Sequence, residues 1–297
     1  MKLDALLTEQ VNPASADIDT RSTAEILQII NCEDRKVAIA VEREISQVAL
    51  AVDRIAEAIR AGGRLFYIGA GTSGRLGVLD AAECPPTFHV PPELVQGIIA
   101  GGEAALARAT EASEDDPESG RRDLKARGFS SRDALVGIAT SGRTPYVLGA
   151  VAAARAMGAV TIGISCTPDS ELSRAAEIAI TPLVGPEVIA GSTRLKAGTA
   201  TKLVLNMIST AVMIRLGFVY GNLMVNVQPK NSKLEARARR IIARAAEVGD
   251  DRARELLHES GGDVKTAIVM ARLNLNRADA EARLAAAGGR ISKALKN

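Results

Sequence analysis

The chain has 297 residues, which is long enough for one large hydrophobic core and a smaller second one. Its 37 Lys and Arg residues nearly balance 35 Asp and Glu residues, and no run of five like charges stands out, so nucleic acid and anionic membranes are poor candidate partners. Aromatic residues make up only 2% of the chain, so a bound sugar would be held by hydrogen bonds and charge rather than by stacking on rings.

The three cysteines, Cys32, Cys84 and Cys166, lack CxxC spacing, which argues against a disulfide framework and against a zinc site. The amino terminus turns polar too early for a signal peptide, and Asp4 and Glu9 argue against an organellar presequence. The longest apolar stretch contains too many polar residues to span a bilayer. The sequence therefore predicts a cytoplasmic protein without a membrane span, a metal ion or a cofactor.

Residues 1–40 are predicted to form a helical arm, with Ser22 or Thr23 as an N-cap. Apolar residues at three- and four-residue spacing predict a second helix over residues 41–60, which ends at Gly62-Gly63.

Short apolar runs then alternate with helical patterns. The predicted strands are residues 65–68, 95–100, 134–139, 160–164 and 178–180. The predicted helices between and after them include residues 104–112, 146–157 and 198–217. This alternation predicts an α/β protein, in which a parallel sheet is flanked by helices on both faces. Ligands of such sheets bind beyond the carboxyl ends of the strands.

The composition becomes charged and helical near residues 229–231, which predicts a domain boundary. Residues 41–228 are expected to form the α/β domain. Residues 235–297 are expected to form a small helical module, which is too short for a sizeable core of its own.

The first loop (residues 69–75) lies between a predicted strand and a predicted helix. Backbone N–H groups at such a turn can bind an anion. A dinucleotide fingerprint would need an acidic residue at the end of the second strand, but that strand ends in Ala100-Gly101-Gly102. A glycine-rich turn that binds nothing is the structural alternative. The candidate phosphate ligands of the first loop are Gly71, Thr72, Ser73, Gly74 and Arg75.

The second loop (residues 139–145) has the same chemistry after the third predicted strand. Its candidate phosphate ligands are Thr140, Ser141, Gly142, Arg143 and Thr144. Thr140 and Ser141 are also expected to cap the helix that begins near Pro145, and capping is compatible with phosphate binding because both use the same unpaired N–H groups.

The two loops and the strand order resemble the sugar isomerase (SIS) domain family, whose members bind the phosphate of phosphosugars with such loops. A larger set of motifs resembles the N-acetylmuramic acid 6-phosphate etherase family. These motifs are residues 8–9, 18–19, 30–31, 33–34, 69–77, 83–86, 191–199 and 262–268. The resemblance implies a flavodoxin-like three-layer sandwich of SIS type, a UBA-like C-terminal module and a homodimer.

Enzymes of that family remove the D-lactyl ether of N-acetylmuramate 6-phosphate during peptidoglycan recycling, giving N-acetylglucosamine 6-phosphate and D-lactate. Elimination followed by addition of water needs a base at C2, an acid at the ether oxygen and no redox cofactor. The resemblance implies that Glu83 is this acid and that Glu114 is the base. Without the resemblance, the sequence favours a solvated helix residue over a catalytic group for each of them.

Arg194 and Lys196 lie in a glycine-flanked segment, where they could bind the phosphate or the lactyl carboxylate, or remain exposed loop charges or contacts to a second subunit. His89 and His258 are expected to be structural. Two other functions stay open on this scaffold. A phosphosugar isomerase would leave the ether intact, and a non-catalytic phosphosugar-sensing regulator would not react at all.

Overall fold

The computed structural model describes residues 7–108, 114–229 and 231–296, which form two compact units. The first unit comprises the described residues up to Glu83 together with Pro92–Ser209. The second comprises Cys84–Pro91 and the described residues from Thr210 onward. The domain limits inferred from composition, residues 41–228 and 235–297, stay a prediction.

Two helices precede the sheet, α1 (Thr23–Glu42) and α2 (Ile45–Arg60). Helix α1 begins with the predicted N-cap: the Ser22 hydroxyl accepts the N–H of Glu25, whose carboxylate accepts the N–H of Ser22. The single helix expected over residues 41–60 is wrong at its start, because the chain breaks between α1 and α2. The Glu44 carboxylate at the break accepts the N–H of Thr181, which anchors this position to the chain beyond the fifth strand.

The sheet contains five parallel strands. They are β1 (Leu65–Gly69), β2 (Val95–Ile99), β3 (Ala134–Ile138), β4 (Val160–Ile164) and β5 (Ile178–Ile180). Their order is β2-β1-β3-β4-β5, the flavodoxin-like order. Every residue of β1 and β3 is buried, as continuous apolar runs in a parallel sheet require. The predicted α/β architecture is confirmed.

Helices follow these strands as predicted, with different limits. They are α3 (Gly71–Phe88), α4 (Ala104–Ala107), α5 (Pro117–Ala126), α6 (Pro145–Ala156), α7 (Glu171–Ala175) and α8 (Lys196–Leu216). The helix expected over residues 104–112 is described only as α4, and residues 109–112 lie outside the described chain. Pro85 and Pro86 lie in the last turn of α3, and the carbonyl oxygen of Pro85 accepts the N–H of His89.

Helix α8 is long and apolar enough, by length and composition, to span a bilayer, so the expectation that the polar residues of this apolar stretch exclude a span is wrong on those two criteria. In the structure its most apolar window is 56% buried, and Val204, Leu205, Ile208 and Met213 are completely inaccessible to solvent. This is the burial expected of a core helix, as the sequence predicted.

The C-terminal part of the second unit is helical, as predicted. A two-stranded hairpin, β6 (Val219–Tyr220) and β7 (Leu223–Met224), precedes helices α9 (Ser232–Ala246), α10 (Asp250–Glu259), α11 (Val264–Leu273), α12 (Arg277–Ala286) and α13 (Ile291–Ala294). Their apolar faces share one core, in which Ile242, Leu256 and Ile268 are almost completely buried.

Candidate active site

The two predicted phosphate loops flank the point where the strand order reverses. Strand β1 pairs with β2 on one side and with β3 on the other, and Gly69 lies in register with both Ile99 and Ile138. The first loop leaves β1 and the second leaves β3, at the same edge of the sheet. A crevice at this position is the usual ligand site of an open α/β sheet.

The first loop is folded tightly onto β1. A Cβ placed on Gly74 would lie 2.6 Å from the carbonyl oxygen of Gly69, so only glycine permits this approach. Helix α3 begins at Gly71, which places Thr72 and Ser73 in its first turn. The N–H groups of a first turn have no partner within the helix, and they can therefore face an anion.

Arg75, predicted as a phosphate ligand of the first loop, is engaged elsewhere. Its Nε and one terminal nitrogen donate to the carbonyl oxygens of Leu106 and Arg108, each at 3.2 Å. These contacts tie the first loop to the end of α4. The structure therefore gives Arg75 a role in holding the loop.

The second loop is fixed to the chain that follows β4. The N–H of Cys166 donates to the carbonyl oxygen of Thr140 at 2.8 Å. Gly142 has φ +69°, and a Cβ placed on it would lie 2.2 Å from Cβ of Ser170, so no other residue fits without moving Ser170. The loop is thus preformed.

The expected capping of α6 by Thr140 and Ser141 is wrong. Thr144 is the N-cap residue, and within the described chain its side chain makes no capping hydrogen bond. Ser141 Oγ instead accepts the N–H of Arg143 at 3.4 Å. The Arg143 guanidinium lies 3.5 Å from a carboxylate oxygen of Glu171.

Glu114 links the two loops. A Cβ placed on Gly71 of the first loop would lie 3.2 Å from Oε1 of Glu114. The carbonyl oxygen of Glu114 accepts the N–H of Tyr146, at the start of the helix that follows the second loop. The half-buried Glu114 side chain is therefore placed at the crevice, where the sequence predicted a base.

Glu83 does not lie beside Glu114 in the same chain. It is exposed on α3, twelve residues after Gly71, and this separation corresponds to about 18 Å along the helix axis. One glutamate side chain cannot reach across that distance.

The first turn of α8 lies beside the first loop. A Cβ placed on Gly198 would lie 3.5 Å from the carbonyl oxygen of Thr193 and 3.6 Å from Cγ2 of Thr72. Arg194, which was predicted to meet an anion, is exposed in the segment before α8. Thr193 and Gly198 lie in the motif of residues 191–199 but were not predicted as site residues, because they contribute backbone and space rather than functional groups.

Lys196 was predicted to lie in a loop and to bind substrate, but it is the first residue of α8 and points into the core. Its Nζ lies 2.6 Å from Oε2 of Glu33, and its side chain is 1% exposed. Burial alone would raise the pKa of Glu33, but hydrogen bonds from Lys196, Lys36 and Asn12 lower it to about 2. The pair therefore joins α1 to α8.

Asp80 is a buried carboxyl that sequence reasoning missed. It lies on α3 between the first loop and Glu83, and Ser209 Oγ donates to its Oδ1 at 3.2 Å. Burial raises the pKa of Asp80, opposed by hydrogen bonds to Tyr67 and Ser209. The sequence signal that could have indicated this buried carboxyl is the position of an acidic residue on the apolar side of α3. No group of three or more potential metal ligands occurs in the part of the chain that the structure describes.

Comparison with known proteins agrees with this geometry. The model of the SIS domain matches residues 123–211, and that of the glucokinase regulatory protein N-terminal SIS domain matches residues 47–155. A phosphoheptose isomerase from Neisseria gonorrhoeae has a TM-score of 0.50 at 16% identity, covering 64% of this chain and 99% of its own. An E. coli CFT073 protein in complex with A5P has a TM-score of 0.50 at 18% identity, and the match covers 68% of this chain and 97% of that protein. The fold and the crevice loops thus define an SIS-domain protein.

Similarity over the whole chain narrows the assignment. An N-acetylmuramic acid 6-phosphate etherase from Rhodopirellula baltica is 53% identical over 294 residues, which is 99% of this chain and 97% of the relative. Those from Photorhabdus laumondii and Caldanaerobacter subterraneus are 54% and 52% identical, covering 95% and 100% of this chain and 93% and 97% of the relatives. The chain belongs to the N-acetylmuramic acid 6-phosphate etherase family.

Proposed function

We propose that this chain is a carbon–oxygen lyase that converts N-acetylmuramate 6-phosphate and water to N-acetylglucosamine 6-phosphate and D-lactate. The observation that carries the proposal is the Glu114 carboxylate at the crevice, against the first loop. The family relationship gives the substrate. A cytoplasmic location suits a step in the recycling of peptidoglycan sugars.

The crevice supports binding of the 6-phosphate. N–H groups at the start of α3 and the hydroxyls of Thr72, Ser73 and Ser141 supply hydrogen-bond donors at the ends of two adjacent strands. Thr140, Gly142 and Thr144 hold the backbone of the second loop. Arg194 would bind the lactyl carboxylate, because a guanidinium binds a carboxylate through two parallel hydrogen bonds.

Glu114 is the base of the proposed reaction. In the open-chain sugar the aldehyde at C1 acidifies the proton at C2, which Glu114 removes. The electron pair left on C2 forms the C2–C3 double bond as the C3–O bond breaks, and an acid protonates the departing D-lactate. Water then adds to C3 and a proton returns to C2, so no oxidant or reductant is consumed.

The acid in this scheme is Glu83, and its position calls for a second subunit. Glu83 is exposed and about 18 Å along α3 from the loop that Glu114 contacts. We therefore propose a homodimer in which each crevice receives the partner's Glu83. A two-fold dimer would complete both crevices at once.

The activity is tested by incubating the purified chain with N-acetylmuramate 6-phosphate and measuring D-lactate. Reaction in H₂¹⁸O should place the label at C3 of the sugar product, because the ether bond breaks on the sugar side. A ketose product without D-lactate would instead establish the isomerase, and saturable binding without turnover would establish the regulator.

Shared sites are tested with two inactive variants. Glu83→Gln and Glu114→Gln should each abolish D-lactate release. When the two variants are co-expressed, about half of the dimers formed at random combine one chain of each kind, and each mixed dimer has one intact crevice out of two. About a quarter of the wild-type activity should therefore be recovered. No recovery, or a monomer in sedimentation, would contradict a site shared between subunits.

A further inference from the structure

A groove in the second unit carries basic side chains that no step of the proposed reaction uses. Two adjoining cavities of about 370 and 380 Å³ share His89, Asn226, Val227 and Gln228. They form one continuous depression between the segment after α3 and the start of α9.

The wall of the groove on α9 is cationic. Lys233 and Arg237 both line it, and their spacing of four residues places them on the same side of the helix. Within the described chain no carboxylate pairs with either of them, whereas Arg239 on the same helix pairs with Asp250 at 2.7 Å. His89 lines the same cavity, so three nitrogen-bearing side chains line one depression.

The wall that contains His89 is held in place. The side-chain amide of Asn226 donates to the carbonyl oxygens of Phe88 and His89, at 2.7 and 3.3 Å. His89 itself has φ +51°, a left-handed conformation that a non-glycine residue adopts only when its surroundings impose it. A groove whose backbone is fixed in advance loses little freedom when a ligand binds.

Among the described residues, one acidic side chain lines the groove, and it lies in the cavity that lacks Lys233 and Arg237. Asp263 lines one of the two cavities, but its Oδ1 accepts the N–H of Thr266 at the start of α11. The cavity that contains Lys233 and Arg237 has no carboxylate in its lining. Its charge is therefore complementary to an anion.

We propose that this groove binds a small oxyanion, the phosphate group or carboxylate of a metabolite, independently of the crevice in the first unit. Arg237 would bind two of the oxyanion's oxygens in parallel, and Lys233 would add a point charge. The His89 ring would lie beside the bound oxyanion, because His89 lines both cavities of the groove. The site does not depend on the proposed etherase reaction.

The two histidines of the chain provide the test, because His89 lines the groove and His258 is exposed on α10 outside its lining. The full-length protein is titrated with inorganic phosphate or with D-lactate, at constant pH and ionic strength, and the imidazole protons are followed by NMR. His89 should shift saturably while His258 does not, and the tighter ligand identifies phosphate or carboxylate as the group recognised. Parallel, non-saturating shifts of both rings would overturn the proposal.

Two variants of α9 test whether the anion that shifts the His89 signal binds in the groove. Arg237→Ala should weaken binding about ten-fold, since a charge-assisted contact is lost. Arg240→Ala removes an exposed cation from the same helix but outside the groove, and it should leave the affinity unchanged. Equal affinities in both variants would refute the site, provided that circular dichroism shows the same helical content.

A third variant separates this site from the crevice. Ser141→Ala weakens the proposed phosphate site of the first unit and should not alter the titration of His89. Loss of the His89 shift in this variant would show that the anion acts from the crevice and that the groove does not bind it. The His89 titration therefore succeeds or fails separately from D-lactate release.

Discussion

Oε1 of Glu114 lies 3.2 Å from the position that a Cβ of Gly71 would occupy, so the carboxylate fills the space that glycine leaves open. Gly71 has φ +52° and is the first residue of α3, whose first N–H groups have no partner within the helix. One glycine therefore shapes the anion-binding turn and admits the carboxylate. The proposed base and the proposed phosphate site are adjacent for this reason.

Gly71→Ala tests this relationship. The new methyl group would displace the Glu114 carboxylate, so kcat should fall by at least about ten-fold, as expected when a base is misplaced. The free energy of unfolding should also fall by about 1–2 kcal/mol, because alanine disfavours a positive φ. Turnover and urea unfolding measure the two effects.

Gly102→Ala is the matched control. Gly102 also has a positive φ, +67°, but a Cβ placed on it meets no atom within 4 Å. It should lose similar stability and keep wild-type kcat. Equal kcat in the two variants would show that the contact between Gly71 and Glu114 is irrelevant to turnover.

Gly142→Ala should damage the second loop more than its backbone angle alone explains. Its Cβ would lie 2.2 Å from Cβ of Ser170 and 2.4 Å from its Oγ, so the loop and the chain after β4 must separate. We expect a KM for the phosphosugar raised at least about ten-fold, through loss of loop geometry. Gly158→Ala, with φ +80° and open space around its Cβ, should leave KM unchanged.

The strands and loops of the first unit could be predicted because their signals are local. A buried parallel strand is a continuous apolar run bounded by glycine, and the five runs appear in the structure within one residue of the predicted limits at most ends. The first loop was recognisable because its glycines and hydroxyls are consecutive. Glu114 was placed by family resemblance, and the structure supplies its contact with Gly71.

Contacts between distant residues could not be predicted. Glu33 and Lys196 are 163 residues apart, and nothing local distinguishes Lys196 from an exposed loop lysine. Arg75 likewise matched a phosphate ligand by position, but its partners are backbone carbonyls, which no sequence pattern marks. Glu44, at the break between α1 and α2, accepts the N–H of Thr181, and the two residues come together only in the folded chain.

Asp80→Asn should change how stability depends on pH. Burial raises the pKa of Asp80 in the folded state above its unfolded value of 3.8. The protonated carboxyl therefore stabilises the fold below pH 3.8, and this contribution is lost as the pH rises through the folded pKa. The neutral amide should make the variant more stable than wild type at pH 7 but not at pH 3, as measured by urea unfolding. A stability difference that does not change with pH would contradict this.

Lys196→Met tests whether Lys196 is a core residue or a substrate ligand. Removing the ammonium group leaves the Glu33 carboxylate buried with fewer partners, and breaking such a pair costs about 3–5 kcal/mol of unfolding free energy. The loss should be large at pH 7, because the stabilising contribution of ionised Glu33 is present above its unfolded pKa of 4.5 and disappears as the pH falls through about 2.

The double variant Glu33→Leu with Lys196→Met separates the two roles. It replaces both charges by apolar groups and should recover much of the stability that Lys196→Met loses, since no charge remains buried without its partner. KM for the phosphosugar should then stay close to the wild-type value. A fully stable single variant with a strongly raised KM would instead assign Lys196 to the substrate, because a lysine that holds α1 against α8 cannot be removed without loss of stability.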